Sequence, residues 1–453
     1  MIKKVQTLLI LAVICLSGYL VYDMYHVQIR QWIDHTQKET ESREETERED
    51  IETEEDGHRG KDLPGRYDLR EQQKAPSVKD QGDLGTCWAI TASSSLESVL
   101  LPKEHTVFSA DHISLQNPYQ KGQEDGGAYT MSIAYFAAWL GPVREDQDPY
   151  GDGSSPKGLA PIKHVQEMQM IMDKDIQDVK RLVYQYGAVQ SSFYMDMESS
   201  AHTSVFYNQF EKAYCYQGEK DPNHDVLIIG WDDAYPKERF TMNVKRDGAF
   251  ICQNSWGDKF GDNGIFYVSY EDALIASYCL AYTRVDEPDN YDHLYQSDLC
   301  GWVGQLGYGT DTCYFANVYE SKGKERAEAV GFYATDRDTR YTIYKTEFFD
   351  SPLSLAASKK VQSGTLKNPG YYTIDLEEPI QLEPGQRFAL SIKIKTPGSE
   401  YPVATEYQAD QNTSMVTIED GEGYISSNGY NWKRAEEGYG CNLCLKVYTS
   451  DIF

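Results

Sequence analysis

A glutamine and a cysteine separated by a short glycine-containing loop are the first residues in the chain that could support nucleophilic chemistry. Gln81 precedes Cys87 in the segment QGDLGTCWA, and a helix-like apolar run begins directly after the cysteine. The helix dipole at such a position favours the thiolate, which is the form that attacks carbonyl carbons. The Gln81 amide can donate a hydrogen bond to an oxyanion beside the sulfur. For Cys87 taken alone, a buried structural cysteine is the alternative interpretation.

A candidate base and a candidate orienting group follow later in the chain. His224 opens the apolar run HDVLIIGW, and Asn254 follows the apolar segment AFICQ, so each lies at the end of a predicted strand. A nucleophilic thiol needs a base beside it and a third group that orients the base. Trp256 follows Asn254 closely and would shield their hydrogen bond from water. The order Gln, Cys, His, Asn predicts a thiol-based acyl-transfer site.

The elements that must position these residues change character along the chain. Residues 62–284 begin with helical patterns and continue with strand patterns, which indicates an α+β domain of two lobes with a cleft between them. Residues 285–453 carry period-two runs separated by Pro-Gly turns, which predicts an all-β sandwich of jelly-roll type. The helices are predicted after Cys87 and over 128–140 and 175–186, and the first-domain strands over 188–194, 225–231, 249–253 and 264–270.

The N-terminal segment predicts a membrane anchor followed by a stalk. Lys3 and Lys4 precede an uncharged apolar run from Val5 to Tyr22, so residues 1–25 are predicted to form a single transmembrane helix with a cytoplasmic N-terminus. A cleaved signal peptide, and hence a secreted protein, is the alternative. Residues 26–61 are dominated by charged and polar side chains and are predicted to be a disordered acidic stalk, with a propeptide as the competing interpretation. Either way, the catalytic domain is expected to be extracellular.

Composition excludes some classes of partner. The chain has 43 Lys and Arg against 71 Asp and Glu, a net charge of −28, which argues against nucleic-acid binding. Apart from Cys15 in the apolar run and Cys87, seven cysteines remain, so at least one of them is unpaired within the chain, and disulfide pairing stays open. Cys441 and Cys444 have the spacing of a half zinc site, and only Cys300 and Cys313 could complete it in this domain, but the irregular spacing and the predicted terminal strand argue against a metal. We expect no metal and no organic cofactor.

Taken together, these motifs resemble the papain-like cysteine peptidases across residues 62–283. The resemblance rests on QGDLGTCWA, FSADHISL, DGG, NHDVLIIGW and NSWGDKFGDNGIFYV. It implies that Cys87 is the nucleophile, His224 the general base and acid, Asn254 the orienting group and Gln81 an oxyanion donor, with Gly126 and Gly127 pairing with the backbone of an extended substrate. Two departures stand out. Leu84 replaces a disulfide cysteine, and Asp225 replaces a small residue after the histidine, where its carboxylate would raise the imidazole pKa or point to solvent.

The C-terminal part resembles the lectin-like β-domain found in some prokaryotic papain-like peptidases. The resemblance rests on YDHLYQSDLCGW, FANVYESKGKERAEAVGFYAT and NLCLKVYTS. It implies a sandwich fold and allows a glycan or cell-surface ligand. Trp302, Tyr430 and Trp432 are candidates for stacking on sugars, and positions in the sandwich core or rim are the preferred alternative for them.

These observations lead to one functional expectation and two alternatives. We expect an extracellular, membrane-anchored cysteine endopeptidase that hydrolyses polypeptides through a Cys87 thiolate and an acyl-enzyme. One alternative is a non-catalytic surface adhesin built on a peptidase scaffold. The other is a thiol hydrolase or transferase directed at cell-wall or isopeptide bonds.

Overall fold

The computed structural model describes residues 63–197, 199, 201–418 and 423–452. The predicted anchor (1–25) and stalk (26–61) lie outside the described residues. Within the described part of the chain, no helix has both the length and the apolar character needed to cross a bilayer. Residues Pro64–Phe453 form one compact unit.

Six α-helices are present in the described residues. Three of them match the helices predicted after Cys87 and over 128–140 and 175–186, and the other three are short and were not predicted. They are α1 (Cys87–Leu100), α2 (Ala110–Leu115), α3 (Tyr129–Ala137), α4 (Ile176–Gln185), α5 (Pro352–Ala356) and α6 (Ala435–Tyr439), with single 3₁₀ turns at Gln123–Asp125, Lys237–Arg239 and Gln411–Thr413. Local capping fixes several of the helix starts. The Asp175 side chain accepts hydrogen bonds from the backbone N–H groups of Gln177 and Asp178, and Ser109 accepts one from His112.

The described residues also contain 22 β-strands. They are β1 (Arg66–Asp68), β2 (His164–Ile171), β3 (Val189–Phe193), β4 (Tyr207–Asn208), β5 (Ala213–Tyr214), β6 (His224–Asp232), β7 (Ala249–Gln253), β8 (Ile265–Ser269), β9 (Cys279–Asp286), β10 (His293–Tyr295), β11 (Gly304–Leu306), β12 (Thr312–Glu320), β13 (Glu325–Ala334), β14 (Thr339–Thr346), β15 (Lys359–Leu366), β16 (Gly370–Leu382), β17 (Arg387–Lys395), β18 (Val403–Glu406), β19 (Gly423–Ser426), β20 (Lys433–Arg434), β21 (Asn442–Leu443) and β22 (Leu445–Asp451).

One sheet of 13 strands runs through both halves of the unit. Its order is β10-β22-β13-β16-β2-β9-β3-β6-β7-β8-β5-β4, with β1 also paired to β6. The junction is the antiparallel pairing of β16 with β2, in which Gly370 lies opposite Gln169. A Cβ at Gly370 would stand 2.1 Å from the Met168 carbonyl oxygen, so only glycine allows this approach. The sequence predicted two folded parts and did not predict that they share a sheet.

The sandwich of the second half uses the end of this shared sheet as one of its layers. The other layer is a six-stranded sheet in the order β15-β14-β17-β12-β19-β20. Phe332 and Val447 from the shared sheet pack with Phe315, Leu390 and Ile392 from the six-stranded sheet in one buried core. The all-β prediction for this part is therefore confirmed, with one layer continuing into the first half.

α1 lies at the centre of the first half and is almost wholly buried. Trp88, Leu96 and neighbouring apolar residues pack against α3, β2 and β9 in one core. Its serines bond to the backbone of the segment leading into β3, since Ser95 donates to the Ala188 carbonyl oxygen and Ser98 accepts from the Ala188 N–H. These bonds satisfy polar groups that burial would otherwise leave unpaired. The helix that begins at Cys87 is therefore held rigidly against the sheet.

A buried carboxylate links the two halves next to the β2–β16 junction. Asp178 on α4 accepts hydrogen bonds from Arg337 Nη1 at 2.7 Å and from Lys367 Nζ at 2.8 Å, both of which belong to the second half. Burial acts to raise the pKa of Asp178, but these hydrogen bonds and charges outweigh it and lower the pKa to about 2. The carboxylate is thus stabilised in its charged form by the fold.

We expect Asp178→Asn to lower the free energy of unfolding by roughly 2 kcal/mol at neutral pH. Because the folded-state pKa of Asp178 lies below its unfolded value, its contribution is present above about pH 4 and is lost as the pH falls towards 2. Urea unfolding between pH 7 and pH 2.5 measures this. The exposed Asp146→Asn variant is the control, and equal stability curves for the two variants would contradict the prediction.

Candidate active site

Cys87 is the first residue of α1 and is half-buried. The backbone N–H groups of Asp225, Trp88 and Cys87 act to lower the pKa of the Cys87 thiol, and Asp225 belongs to the strand that begins at His224. Burial, reinforced by the Asp225 carboxylate, nevertheless raises the pKa of Cys87 to about 12. The N–H groups at the helix start therefore act in the predicted direction, towards the thiolate, but desolvation outweighs them.

His224 begins β6 and forms a hydrogen bond with Asn254, the residue directly after β7. Nε2 of His224 lies 2.7 Å from Asn254 Oδ1. The backbone N–H of Ser255 also donates to Asn254 Oδ1, at 2.9 Å, which identifies this atom as the amide oxygen. Because an amide oxygen only accepts, Nε2 carries the proton and Nδ1 is left as the basic nitrogen of the neutral ring. The antiparallel pairing of β6 with β7 holds both residues at the same end of the sheet.

Trp256 lies against the imidazole as the sequence predicted. Its ring centroid is 4.9 Å from that of His224, with 37° between the planes, and the indole is buried. Burial lowers the pKa of His224 to about 4, while the hydrogen bond to Asn254 acts in the opposite direction. In the resting structure the ring is therefore neutral and able to accept a proton.

Gln81 reaches the site through a short backbone pairing with the segment that follows β7. Its N–H donates to the Ser255 carbonyl oxygen at 2.7 Å, and neighbouring Asp80 pairs with Trp256. The Gln81 side chain accepts from Ser255 Oγ at 2.6 Å and donates through Nε2 to the Leu84 carbonyl oxygen at 2.7 Å. These bonds fix the amide orientation and leave the second Nε2 hydrogen available for an oxyanion.

Gly126 and Gly127 follow a 3₁₀ turn and lie against the loop that precedes Cys87. The N–H of Gly85 in that loop donates to the Gln123 carbonyl oxygen at 2.8 Å. A Cβ at Gly127 would stand 2.3 Å from Trp88 Nε1, so the Trp88 indole excludes a side chain there. The structure therefore gives Gly127 a packing reason to be glycine, and its pairing with substrate stays a prediction.

The structure overturns both sequence interpretations of Asp225. Its carboxyl neither points to solvent nor contributes to the pKa of His224. It is 5% exposed and accepts a hydrogen bond from Gln190 Nε2 at 2.7 Å. Every residue of β6 except the last is buried, so alternation along this strand carries no signal for an exposed position. Asp225 is directed into the protein, beneath Cys87.

Comparison with known proteins agrees with this geometry. Residues 63–283 match the papain family cysteine protease model, and residues 294–449 match the lectin-like domain. The chain contains a papain family cysteine protease domain. A viral cathepsin of Heliothis zea nuclear polyhedrosis virus is 28% identical over 213 residues, and procathepsin L of Rattus norvegicus is 26% identical over 217 residues. Each match covers 46% of this chain, which spans 52% and 60% of the lengths of those relatives.

The paired arrangement of a protease domain and a lectin-like domain also occurs in a solved structure. This is the structure of those two domains of Cwp84, a surface layer associated protein of Clostridium difficile. It superposes with a TM-score of 0.73 at 24% identity, covering 87% of this chain and 90% of that one. A second structure of Cwp84, after propeptide cleavage, gives a TM-score of 0.75 at 24% identity and covers 85% of this chain and 99% of that one. At this level of identity the likeness establishes the common fold.

Three residues that sequence reasoning missed support the candidate active site. Ser255 bonds both Asn254 and Gln81, and it could have been noticed because it lies between Asn254 and Trp256. Tyr150 donates to the Gln81 carbonyl oxygen at 2.9 Å and contacts Thr86, which ties down the loop before the cysteine. Gln190 lies on β3, and its sequence context gives no sign that it reaches Asp225.

Two further sets of residues singled out in the sequence are the cysteines, as possible disulfide or metal sites, and the candidate sugar-stacking aromatics. Within the described residues, all eight cysteines are free, and no cluster of His, Cys, Asp or Glu side chains is arranged to hold a metal ion. Of the three candidate sugar-stacking aromatics, Trp302 and Trp432 are half-buried against hydrophobic cores. Tyr430 is 65% exposed and remains accessible.

We expect Ser255→Ala to lower kcat about tenfold while changing KM little. The variant removes the hydroxyl that holds Gln81 Oε1, so the Nε2 donor loses its fixed direction, and one neutral hydrogen bond contributes about 1 kcal/mol. Steady-state kinetics on a peptide substrate measures the effect, with exposed Ser154→Ala as the control. An unchanged kcat would show that Ser255 does not orient Gln81.

Proposed function

We propose that this chain is a cysteine endopeptidase in which Cys87, His224, Asn254 and Gln81 act as one unit. The observation that carries the proposal is the 2.7 Å bond between His224 Nε2 and Asn254 Oδ1, since it leaves Nδ1 as the base. The Asp225 N–H, on the residue after His224, acts to lower the pKa of Cys87, which supports placing the thiol beside that base. Membership of the protease domain in the papain family supports the same chemistry.

The reaction begins with proton transfer from the Cys87 thiol to His224 Nδ1. The sulfur then attacks the carbonyl carbon of the peptide bond, and the carbonyl oxygen becomes an oxyanion that accepts from Gln81 Nε2 and the Cys87 N–H. His224 returns the proton to the leaving amine, and the C–N bond breaks to leave a thioester. Water, deprotonated by His224, then attacks the thioester and releases the acid and the thiol. The imidazolium donates through both nitrogens, and Asn254 accepts from Nε2 throughout.

The substrate is an extended polypeptide that lies along Gly126 and Gly127. Both glycines lie at the surface beside the loop that precedes Cys87, and a strand pairing with their backbone would bring its carbonyl to the sulfur. Residues near Ala128, Tyr129 and Pro222 then line the neighbouring side-chain pocket. No cofactor takes part in the proposed reaction.

The location and the accessory ligand also belong to the proposal. The apolar run at residues 5–22 and the charged segment at 26–61 support a single-pass anchor that holds the protease domain outside the cell. The lectin-like domain and the exposed Tyr430 support a glycan or another cell-surface ligand. In Cwp84 the same pair of domains belongs to a surface layer associated protein.

We expect Cys87→Ala to lower kcat/KM for a fluorogenic peptide by at least about a thousandfold. Gln81→Ala should lower kcat/KM for the same peptide about a hundredfold, because it removes one oxyanion donor.

Asn254→Ala should reduce kcat more than it raises KM, since Asn254 orients the base and not the substrate. Peptide mapping after reaction with a thiol-directed epoxide should find one label, on Cys87, because the other seven described cysteines are buried. A kcat/KM for Cys87→Ala close to that of the original chain would refute the proposed mechanism.

We also expect the full chain to sediment with the membrane fraction. External protease added to intact cells should then release a soluble fragment that begins within residues 26–61, because this charged segment is predicted to lack a core. Cell fractionation and N-terminal sequencing of the fragment test this. Recovery of the chain in the culture medium, cut within its first 25 residues, would support the secreted alternative instead.

A further inference from the structure

Asp225 joins the helix that carries the nucleophile to the strand that carries the base. Its carboxyl accepts a hydrogen bond from Gln190 Nε2 at 2.7 Å. The same Gln190 Nε2 donates to the Trp88 carbonyl oxygen on α1 at 3.2 Å. One side-chain amide therefore bridges α1 and β6 directly beneath the candidate active site.

The Asp225 carboxyl has neutral donors but no cationic partner. Its hydrogen bonds come from Gln190 on β3 and Ser192, near the end of the same strand. The titratable groups that face it are Cys87 on α1, Tyr129 on α3, and Cys279 and Tyr282 on β9. Within the described residues no lysine or arginine contributes to its ionisation. A negative charge here is thus uncompensated, and it acts to raise the pKa of Cys87.

We propose that Asp225 is a positioning residue whose charge sets the lower pH limit of Cys87 reactivity. Through Gln190 its carboxyl holds α1 against β6, and by its own charge it opposes formation of a second negative charge on the sulfur. The catalytic importance of this positioning rests on the proposed peptidase function. The effect on the thiol does not, because it concerns the reactivity of Cys87 with any electrophile.

The sign of the effect follows from the two ionisations. Burial raises the pKa of Asp225, so the carboxyl opposes formation of the thiolate only above that pKa, where it is ionised. The carboxylate raises the pKa of Cys87. A neutral isostere at this position should therefore allow the thiolate to form at lower pH. His224 should be little affected, since Asp225 does not contribute to the pKa of His224.

The experiment measures two pH profiles for the full chain: the rate of Cys87 alkylation by iodoacetamide, and kcat/KM for a peptide substrate. The variants are Asp225→Asn, which can still accept from Gln190, and Asp225→Ala, which cannot. Asp221→Asn is the matched control, because Asp221 is an exposed carboxylate just before His224. Circular dichroism confirms that each variant is folded before its profile is interpreted.

For Asp225→Asn we expect the acid limb of both profiles to move to lower pH by about one unit, with kcat at the optimum within about threefold of the original. Asp225→Ala should show the same shift together with a kcat at least about tenfold lower, because Gln190 loses its partner. Asp221→Asn should leave both profiles unchanged. An acid limb that stays in place in Asp225→Asn, or moves equally in Asp221→Asn, overturns the inference.

The two assays separate the failure of this inference from the failure of the proposed function. If the original chain cleaves no peptide while its alkylation profile shifts in Asp225→Asn, the peptidase proposal fails and the effect on the thiol stands. If peptides are cleaved but neither profile shifts, Asp225 has no part in tuning the thiol. If only Asp225→Ala loses activity and no acid limb moves, Asp225 is a structural residue.

Discussion

Hydrogen bonds through Ser255 hold the candidate active site together. Its N–H fixes the Asn254 oxygen that orients the imidazole, its hydroxyl fixes the Gln81 amide, and its carbonyl oxygen accepts from the Gln81 backbone. The orienting amide and the oxyanion donor come from opposite ends of the protease domain, yet one residue sets the position of both. Preorganisation of this kind removes the reorganisation that would otherwise accompany charge development.

Burial imposes a second constraint on the pair that performs the proposed chemistry. It raises the pKa of Cys87 to about 12 and lowers that of His224 to about 4, so each charge is disfavoured when formed alone. Formed together, thiolate and imidazolium attract each other strongly in this low-dielectric site. Backbone N–H groups that act to lower the pKa of Cys87, and Asn254 on the imidazole, favour the charged pair. The uncompensated Asp225 carboxyl acts on the sulfur in the opposite direction.

The sequence predicts local features well and long-range ones poorly. The α+β order, the helix at Cys87 and the strands that carry His224 and Asn254 follow from hydrophobic period and turn residues, and the structure contains them. The pairing of β16 with β2 depends on the register of distant strands, for which no local pattern exists. The inward direction of Asp225 was also unpredictable, because β6 is buried on both faces and alternation disappears. Gln190 becomes recognisable as a bridge only when α1, β3 and β6 are in place.

The lectin-like domain is continuous with the protease domain rather than tethered to it. Besides the shared sheet, it contacts the segment that leads to Gly126 and Gly127. Tyr119 donates to the Cys300 carbonyl oxygen at 2.8 Å, and the Gln120 N–H donates to that of Asn412 at 2.7 Å. That segment then bonds the loop before Cys87 through the Gln123 carbonyl oxygen. The lectin-like domain therefore forms part of the support of the candidate substrate-binding loop, and the two domains are one structural unit.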